Sequence, residues 1–237
     1  MMRIIFMVLV LAMLSGCVVA DDIVSMPTAN QLKRGEVDLA GYHMSLDNPP
    51  VGLPQSAEYQ TLYIGLTDWL EIDAHHVALD NNKESTVLVA SVKVLSETNA
   101  LPDVVVGCRN LGGTATLETA WWTTPELIDK TKDRSYFLST AKTFFCNPLK
   151  PGPPLFRVHL SVGTPDWTLM GDRRHDGVFG GLQMLFSPTM GAVAQFDGEN
   201  IITGITFMPK NTGLTLKGGS FGPHLWFGLA FRKQLSF

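Results

Sequence analysis

The fold turns on Leu225-Trp226-Phe227-Gly228-Leu229-Ala230-Phe231-Arg232-Lys233-Gln234-Leu235-Ser236-Phe237. Counting back by twos from Phe237 gives Leu235, Lys233, Phe231, Leu229, Phe227 and Leu225, apolar at every place but Lys233. Residues two apart share one face of a β-strand, so this stretch offers a long apolar face. At the open edge of a soluble sheet such a strand would pair with other chains and aggregate. It asks instead for a closed sheet with lipid around it, or for a second sheet packed upon it.

Upstream, segments of the same kind recur between turn signals, the pattern of an all-β barrel or sandwich. The alternation predicts strands at 35–45, 59–66, 69–79, 85–96, 103–111, 134–146, 155–163, 177–187, 191–198, 200–208, 212–220 and 224–237. Thr67-Asp68, Asp80 to Lys83, Ser187-Pro188, Asp197 to Asn200 and Pro209 to Asn211 supply turn chemistry between them. In 155–163, Phe156, Val158, Leu160 and Val162 oppose Arg157, His159, Ser161 and Gly163. In 69–79, Leu70, Ile72 and Ala74 oppose Glu71, Asp73 and His75. Periodicity alone leaves open whether the apolar faces meet a second sheet or lipid.

Loop lengths favour lipid. The three longest irregular stretches, 46–58, 112–133 and 164–176, all follow odd-numbered strands, whereas connections after even strands are mostly short. Long loops on one rim and tight turns on the other mark an up-and-down outer-membrane barrel, here of about 12 strands. The stretches 97–102 and 147–154 are longer than that pattern asks. An even strand count places both ends of the barrel on the tight-turn, periplasmic side.

Composition agrees. The 237 residues are 45% hydrophobic and 17% charged with a net charge of -4. There is no surplus of cations for nucleic-acid binding. Past residue 20 no apolar run approaches the roughly 20 residues of a membrane helix.

Arg3 followed by the apolar run Ile4 to Leu14 reads as an export signal over residues 1–20. Two cleavage readings stand side by side. Leu14-Ser15-Gly16-Cys17 resembles the bacterial lipobox, which makes Cys17 a lipid-attachment residue. Val18-Val19-Ala20 fits the small-x-small pattern that releases Asp21. Residues 21–34 then form an N-terminal segment before a single barrel domain over 35–237. Cys108 and Cys146 fall in neighbouring predicted strands at different distances from the loop joining them, which argues against a disulfide. No cysteine spacing suggests a metal.

Thr61 to Glu71 (TLYIGLTDWLE), Pro102 to Arg109 (PDVVVGCR) and Gln195-Phe196-Asp197-Gly198 leading to Gly204 follow in that order. The series resembles a broad group of small bacterial outer-membrane barrels, including barrel modules linked to exopolysaccharide export. The C-terminal stretch likewise resembles the last strand of outer-membrane barrels, with Lys233 as a departure. The resemblance implies that Phe237 is a signal read by the barrel assembly machinery and that the chain sits in outer-membrane lipid. It implies a small passive channel or a structural membrane component, with small solutes or polysaccharide as cargo. It carries over no cofactor and no catalytic residue.

With the apolar faces outward, Glu71, Asp73, Arg109, Arg157, His159, Asp197 and, at the end of its strand, Lys93 line the lumen. They serve either as a paired structural network or as the lining of a pore that sorts small solutes. His159 and Ser161 share a face, and a twelve-stranded outer-membrane phospholipase uses such a pair as base and nucleophile. Here the alternation turns the pair inward and no third orienting residue is identifiable, so the chain reads as a non-enzyme. Asp172-Arg173-Arg174-His175-Asp176 reads as a solvated loop tip, or as a contact to lipopolysaccharide phosphates or a polymer. His75 and His76 point to opposite faces and cannot share a metal ion. Trp69 and Trp226, near strand ends, are expected in the aromatic girdles, while Trp121 and Trp122 fall in the longest loop. The rival reading is a periplasmic lipoprotein, anchored through Cys17, whose soluble β-sandwich binds a ligand or partner.

Overall fold

The computed structural model describes residues 28–46, 55–80, 84–113, 133–147, 149–150, 152–166 and 174–235. Cys17, Trp121, Trp122, Asp172, Arg173 and Phe237 lie outside the described residues. Among the described residues there are twelve strands and no helix. The first six are β1 (Glu36–Ser45), β2 (Ser56–Gly65), β3 (Leu70–Leu79), β4 (Glu84–Leu95), β5 (Asp103–Arg109) and β6 (Ser135–Phe145). The others are β7 (Leu155–Gly163), β8 (Gly177–Ser187), β9 (Met190–Phe196), β10 (Ile201–Phe207), β11 (Leu214–Phe221) and β12 (His224–Gln234).

Each strand pairs with its neighbours in sequence, and β1 pairs with β12, so one antiparallel sheet closes on itself. The sandwich alternative is thereby corrected, because a single closed ladder leaves no second sheet for the apolar faces to meet. The closing register runs from Glu36 opposite Gln234 to Ser45 opposite Leu225. Closure gives the backbone groups of both terminal strands a partner, which is how a barrel removes its edges. The strands agree with the alternation to within a few residues.

The pleat sorts the side chains. Leu160, Ile205, Leu225 and Phe227 face out and stay 49–70% exposed together with Leu229. Their neighbours Ser161, Thr206, Trp226 and Ala230 face in and are buried. Asp38, Glu71, Asp73, Asp103, Arg109 and Lys217 are buried on the same inner side. The outer wall is thus apolar, and the ionisable wall residues lie inside among buried apolar neighbours such as Tyr59, Val89, Phe137 and Phe179. Trp226 departs from the girdle expected of it. Leu225 and Phe227 take the outer positions, so parity turns Trp226 inward, where it is 2% exposed and meets Tyr42 edge-on at 6.0 Å. Trp69, in the β2–β3 turn, is exposed.

We call the rim carrying the connections after odd strands the odd rim. The opposite, even rim carries the remaining turns and the two barrel ends, where the Leu235 amide donates to the Gly35 carbonyl at 2.7 Å. Cys108 and Cys146 are free thiols.

Gly219 lies opposite Gly204 between β11 and β10, and a Cβ on it would overlap the carbonyl oxygen of Thr203. Gly219→Ala is expected to destabilise the barrel by about 1–3 kcal/mol through overpacking. Gly218→Ala places its Cβ at an ordinary 3.6 Å from the nearest atom and serves as the control. Thermal unfolding of the two variants checks this. Equal midpoints would refute the close approach of β10 and β11.

Candidate functional site in the barrel interior

Three groups of charged side chains lie in the lumen, built from inward-facing strand residues and from residues of the connections. Across the closing seam, Asp38 of β1 sits in register with Arg232 of β12. Arg232 Nε and Nη2 lie 2.9 and 2.8 Å from Asp38 Oδ2. Beside them Lys217 of β11 donates to the Tyr42 hydroxyl at 3.2 Å and lies 5.6 Å from its ring centroid.

Toward the even rim, Arg157 of β7 gathers the second group. Its Nη1 is 2.6 Å from Glu97 Oε2 and its Nη2 is 2.6 Å from Asp103 Oδ2. Nη1 also donates to Thr143 Oγ1 at 2.7 Å. Glu97 comes from the β4–β5 turn, which folds toward the lumen. Burial raises the pKa of Glu97, but the Thr143 amide and hydroxyl and the Arg157 guanidinium outweigh it and hold the carboxyl below its usual range. The cation is paired on two sides, by Glu97 of the turn and Asp103 of β5, as a buried charge requires.

The third group gathers at the odd mouth. Residues 164–166 and 174–176, the two ends of the β7–β8 connection, fold back into the barrel, where the Asp166 amide donates to the Arg174 carbonyl at 2.7 Å. Arg109 of β5 forms an ion pair with Asp166. Arg174 Nε lies 2.9 Å from Asp197 Oδ2, and its guanidinium carbon sits 4.9 Å from the Phe221 ring centroid. Asp197 also accepts the amides of Glu199 at 3.0 Å and Asn200 at 2.7 Å. Burial pushes the Asp197 carboxyl up, but Arg174 and these two amides more than offset it, leaving the pKa below its usual value. Arg174 and His175 are 0 and 1% exposed. The expected solvated tip or phosphate contact is therefore corrected at these two residues, because the chain turns inward and spends Arg174 on Asp197.

Within this frame Glu71, Asp73, Arg109, Arg157, His159 and Asp197 all lie on the inner side, but not together. Arg157 belongs to the even-rim group, Arg109 and Asp197 to the odd-mouth group. Lys93, at the irregular end of β4, is half-buried. Ser161 Oγ donates to Ser139 Oγ at 2.8 Å deep in the wall, away from the outer surface a phospholipase would use. His75 is buried and His76 lies on the outer wall, 2.9 Å from Thr86 Oγ1. Reasoning from sequence missed Asp38, Asp103, Lys217 and Arg232, which parity with Ala40, Val105, Thr215 and Ala230 could have found. It also missed the inward course of Asp166 and Arg174, which no period announces.

The interior holds one further element, residues 28–35, which is not a wall strand. Ala29 and Leu32 are buried. Gln31 Nε2 donates to Ser91 Oγ at 2.6 Å and the Leu32 amide donates to Glu71 Oε2 at 2.7 Å. Asn30 accepts from Arg157 Nε and donates to Gln183 Oε1 at 3.4 Å. Between this segment and the odd mouth lies a cavity of about 20 Å³ lined by Asn30, Glu71, Asp73, His75, Arg109 and others. That is room for about one water molecule.

The sequence matches no protein-family description and no curated protein. Among solved structures it is similar to the N-terminal β-barrel domain of Pseudomonas aeruginosa OprF. That match is at 10% identity and TM-score 0.27, covering 85% of this chain and 100% of that one. It is also similar to the COG4313 outer membrane channel from Pseudomonas putida F1, at 12% identity and TM-score 0.43, covering 89% and 99%.

The odd mouth generates a pH prediction. Burial pushes the His175 pKa down from 6.5 to about 4, against the attraction of Asp166, whose Oδ2 lies 3.7 Å from Nδ1, and with the help of Arg174. The unfolded chain therefore takes up this proton first as pH falls. The stability tied to neutral His175 is complete above pH 6.5 and is lost toward pH 4. The gap in unfolding temperature between the wild type and His175→Gln is expected to shrink over that interval. A gap that stays constant with pH would refute the neutral ring.

Proposed function

We propose that the chain is an integral outer-membrane β-barrel that acts as a small passive channel, closed in the conformation described. The observation that carries this reading is the apolar outer wall of a closed sheet with ion pairs inside. A wall bearing Leu160, Ile205, Leu225 and Phe227 outward suits hydrocarbon, and ion pairs inward suit a hydrated lumen. The even rim, with its short turns and both barrel ends, would face the periplasm. Cys17, if lipidated, would anchor the chain on that same side.

The alternative is a purely structural membrane component. It draws on the ends of the β7–β8 connection and on residues 28–35, which occupy the lumen. Polysaccharide passage would require at least that segment to leave, since the cavity beside it is water-sized. No residue of the interior is assigned a catalytic role.

Migration on a gel with and without boiling tests the barrel in detergent, and a faster unboiled band is expected. Ile205→Arg tests the lipid. Ile205 lies on the outer face of β10 and is 68% exposed. Against hydrocarbon near the bilayer midplane the substitution is expected to cost about 2–4 kcal/mol of folding stability. Folding titrations in phospholipid vesicles measure it. A cost near zero would mean that this wall faces water and would overturn the membrane reading.

A further inference from the structure

We propose that residues 28–35 are a displaceable plug, and that the barrel conducts small hydrated solutes only when this segment leaves the lumen. The proposal rests on the membrane-barrel reading. It concerns what opens the barrel, not where the barrel sits.

The two elements that fold into the lumen are held by different physics. At the odd mouth, Arg109 pairs with Asp166 and Arg174 with Asp197. Separating either pair would strand a buried charge, which is strongly unfavourable. That end is fixed.

Residues 28–35 are held otherwise. The neutral carboxamides of Asn30 and Gln31 reach the wall, the Leu32 amide donates to Glu71, and Ala29 and Leu32 are buried, but no ion pair among the described residues holds the segment. Arg157 still has Glu97 and Asp103 when Asn30 withdraws. Each bond the plug gives up can be replaced by one to water, so the net cost of each is modest and is largest for the bonds to Arg157 and Glu71. The surface left behind, Glu71, Ser91, Arg157 and Gln183, is polar and would wet. The segment adds no strand to the barrel. β1 pairs with β12 from Glu36 and with β2 from Val37 without it.

The wall is also shaped to let the segment pass. Gly65, at the end of β2, faces inward, and a Cβ there would overlap the backbone carbonyl of Lys33. Gly35, in a left-handed conformation with φ of 77°, turns the chain from the lumen into β1, and its amide donates to the Gly65 carbonyl at 2.8 Å. Gly35 is therefore the hinge and Gly65 the seat. Withdrawal would join the cavity beside Glu71, Asp73 and His75 to the even-rim solution. The narrowest charged point left among the described residues would be Arg109 with Asp166.

Two variants of the full-length chain test this in planar bilayers. Gly65→Val fills the seat from the wall. Leu32→Glu loads the plug with a charge whose backbone amide lies against Glu71, and leaves every wall strand untouched. Both are expected to show a severalfold rise in open-channel current over the wild type. In the Leu32→Glu chain, Gln31→Cys and Ser91→Cys bridged by a short thiol cross-linker, with Cys108 and Cys146 changed to Ser, are expected to return the current to the wild-type level. Variants that keep the fast unboiled band and insert, yet conduct no more than the wild type, would overturn the plug while leaving the membrane barrel standing. If the wild type itself neither shifts on boiling nor inserts, the membrane reading fails and the plug falls with it.

Discussion

The pairing of β1 with β12 is the constraint from which the rest of this molecule follows. Without it, both strands would expose a row of unpaired amides and carbonyls, and the sheet would have edges. With it, every strand has two neighbours and the pleat has one inside and one outside. The seam is also where an ion pair falls in register, Asp38 across from Arg232, so the same residues that close the ladder pair charges within the wall. Closure brings the Gly35 turn to the even rim and directs the preceding residues into the lumen.

An interior of this kind faces a problem that a soluble core does not. Parity assigns it roughly half of every strand, and lipid outside would leave charges nowhere else to go. Buried charges are tolerable only when paired and hydrogen-bonded. The chain meets this need in three separate groups and not in one network. Pairs drawn from different strands, such as Arg157 with Asp103, tie the wall together across the lumen. Pairs drawn from a loop and a strand, such as Arg109 with Asp166, fasten a connection into the mouth. Neutral amides hold the N-terminal segment. The first two are costly to separate and the third is not, which gives the lumen one fixed end and one end able to move.

Much of the wall was legible because a strand repeats every two residues. Phe156, Val158, Leu160 and Val162 could be turned outward, and Arg157, His159 and Ser161 inward, from the alternation of β7 alone. The same rule applied to β12 should have turned Trp226 inward. The expectation of an aromatic girdle overrode a parity that Leu225 and Phe227 already declared. Asp38, Lys217 and Arg232 obey the same parity, in step with the buried Ala40, Thr215 and Ala230. The loops offered no such rule. Asp172 to Asp176 read as a solvated charge run because nothing in an irregular segment states which way it folds. Arg174 is buried because Asp197, from another connection, waits at the mouth.

By itself, then, the sequence determined the element type, the strand number, the face each wall residue takes and the rim on which the long connections lie. These are local properties, set by pleat geometry and turn chemistry within a few residues. Which charges meet, which loop folds inward and that residues 28–35 enter the lumen were decided only by the tertiary structure. Those contacts join residues far apart in the chain, Asn30 with Arg157 or Asp38 with Arg232, and they exist only once closure has brought the first and last strands together.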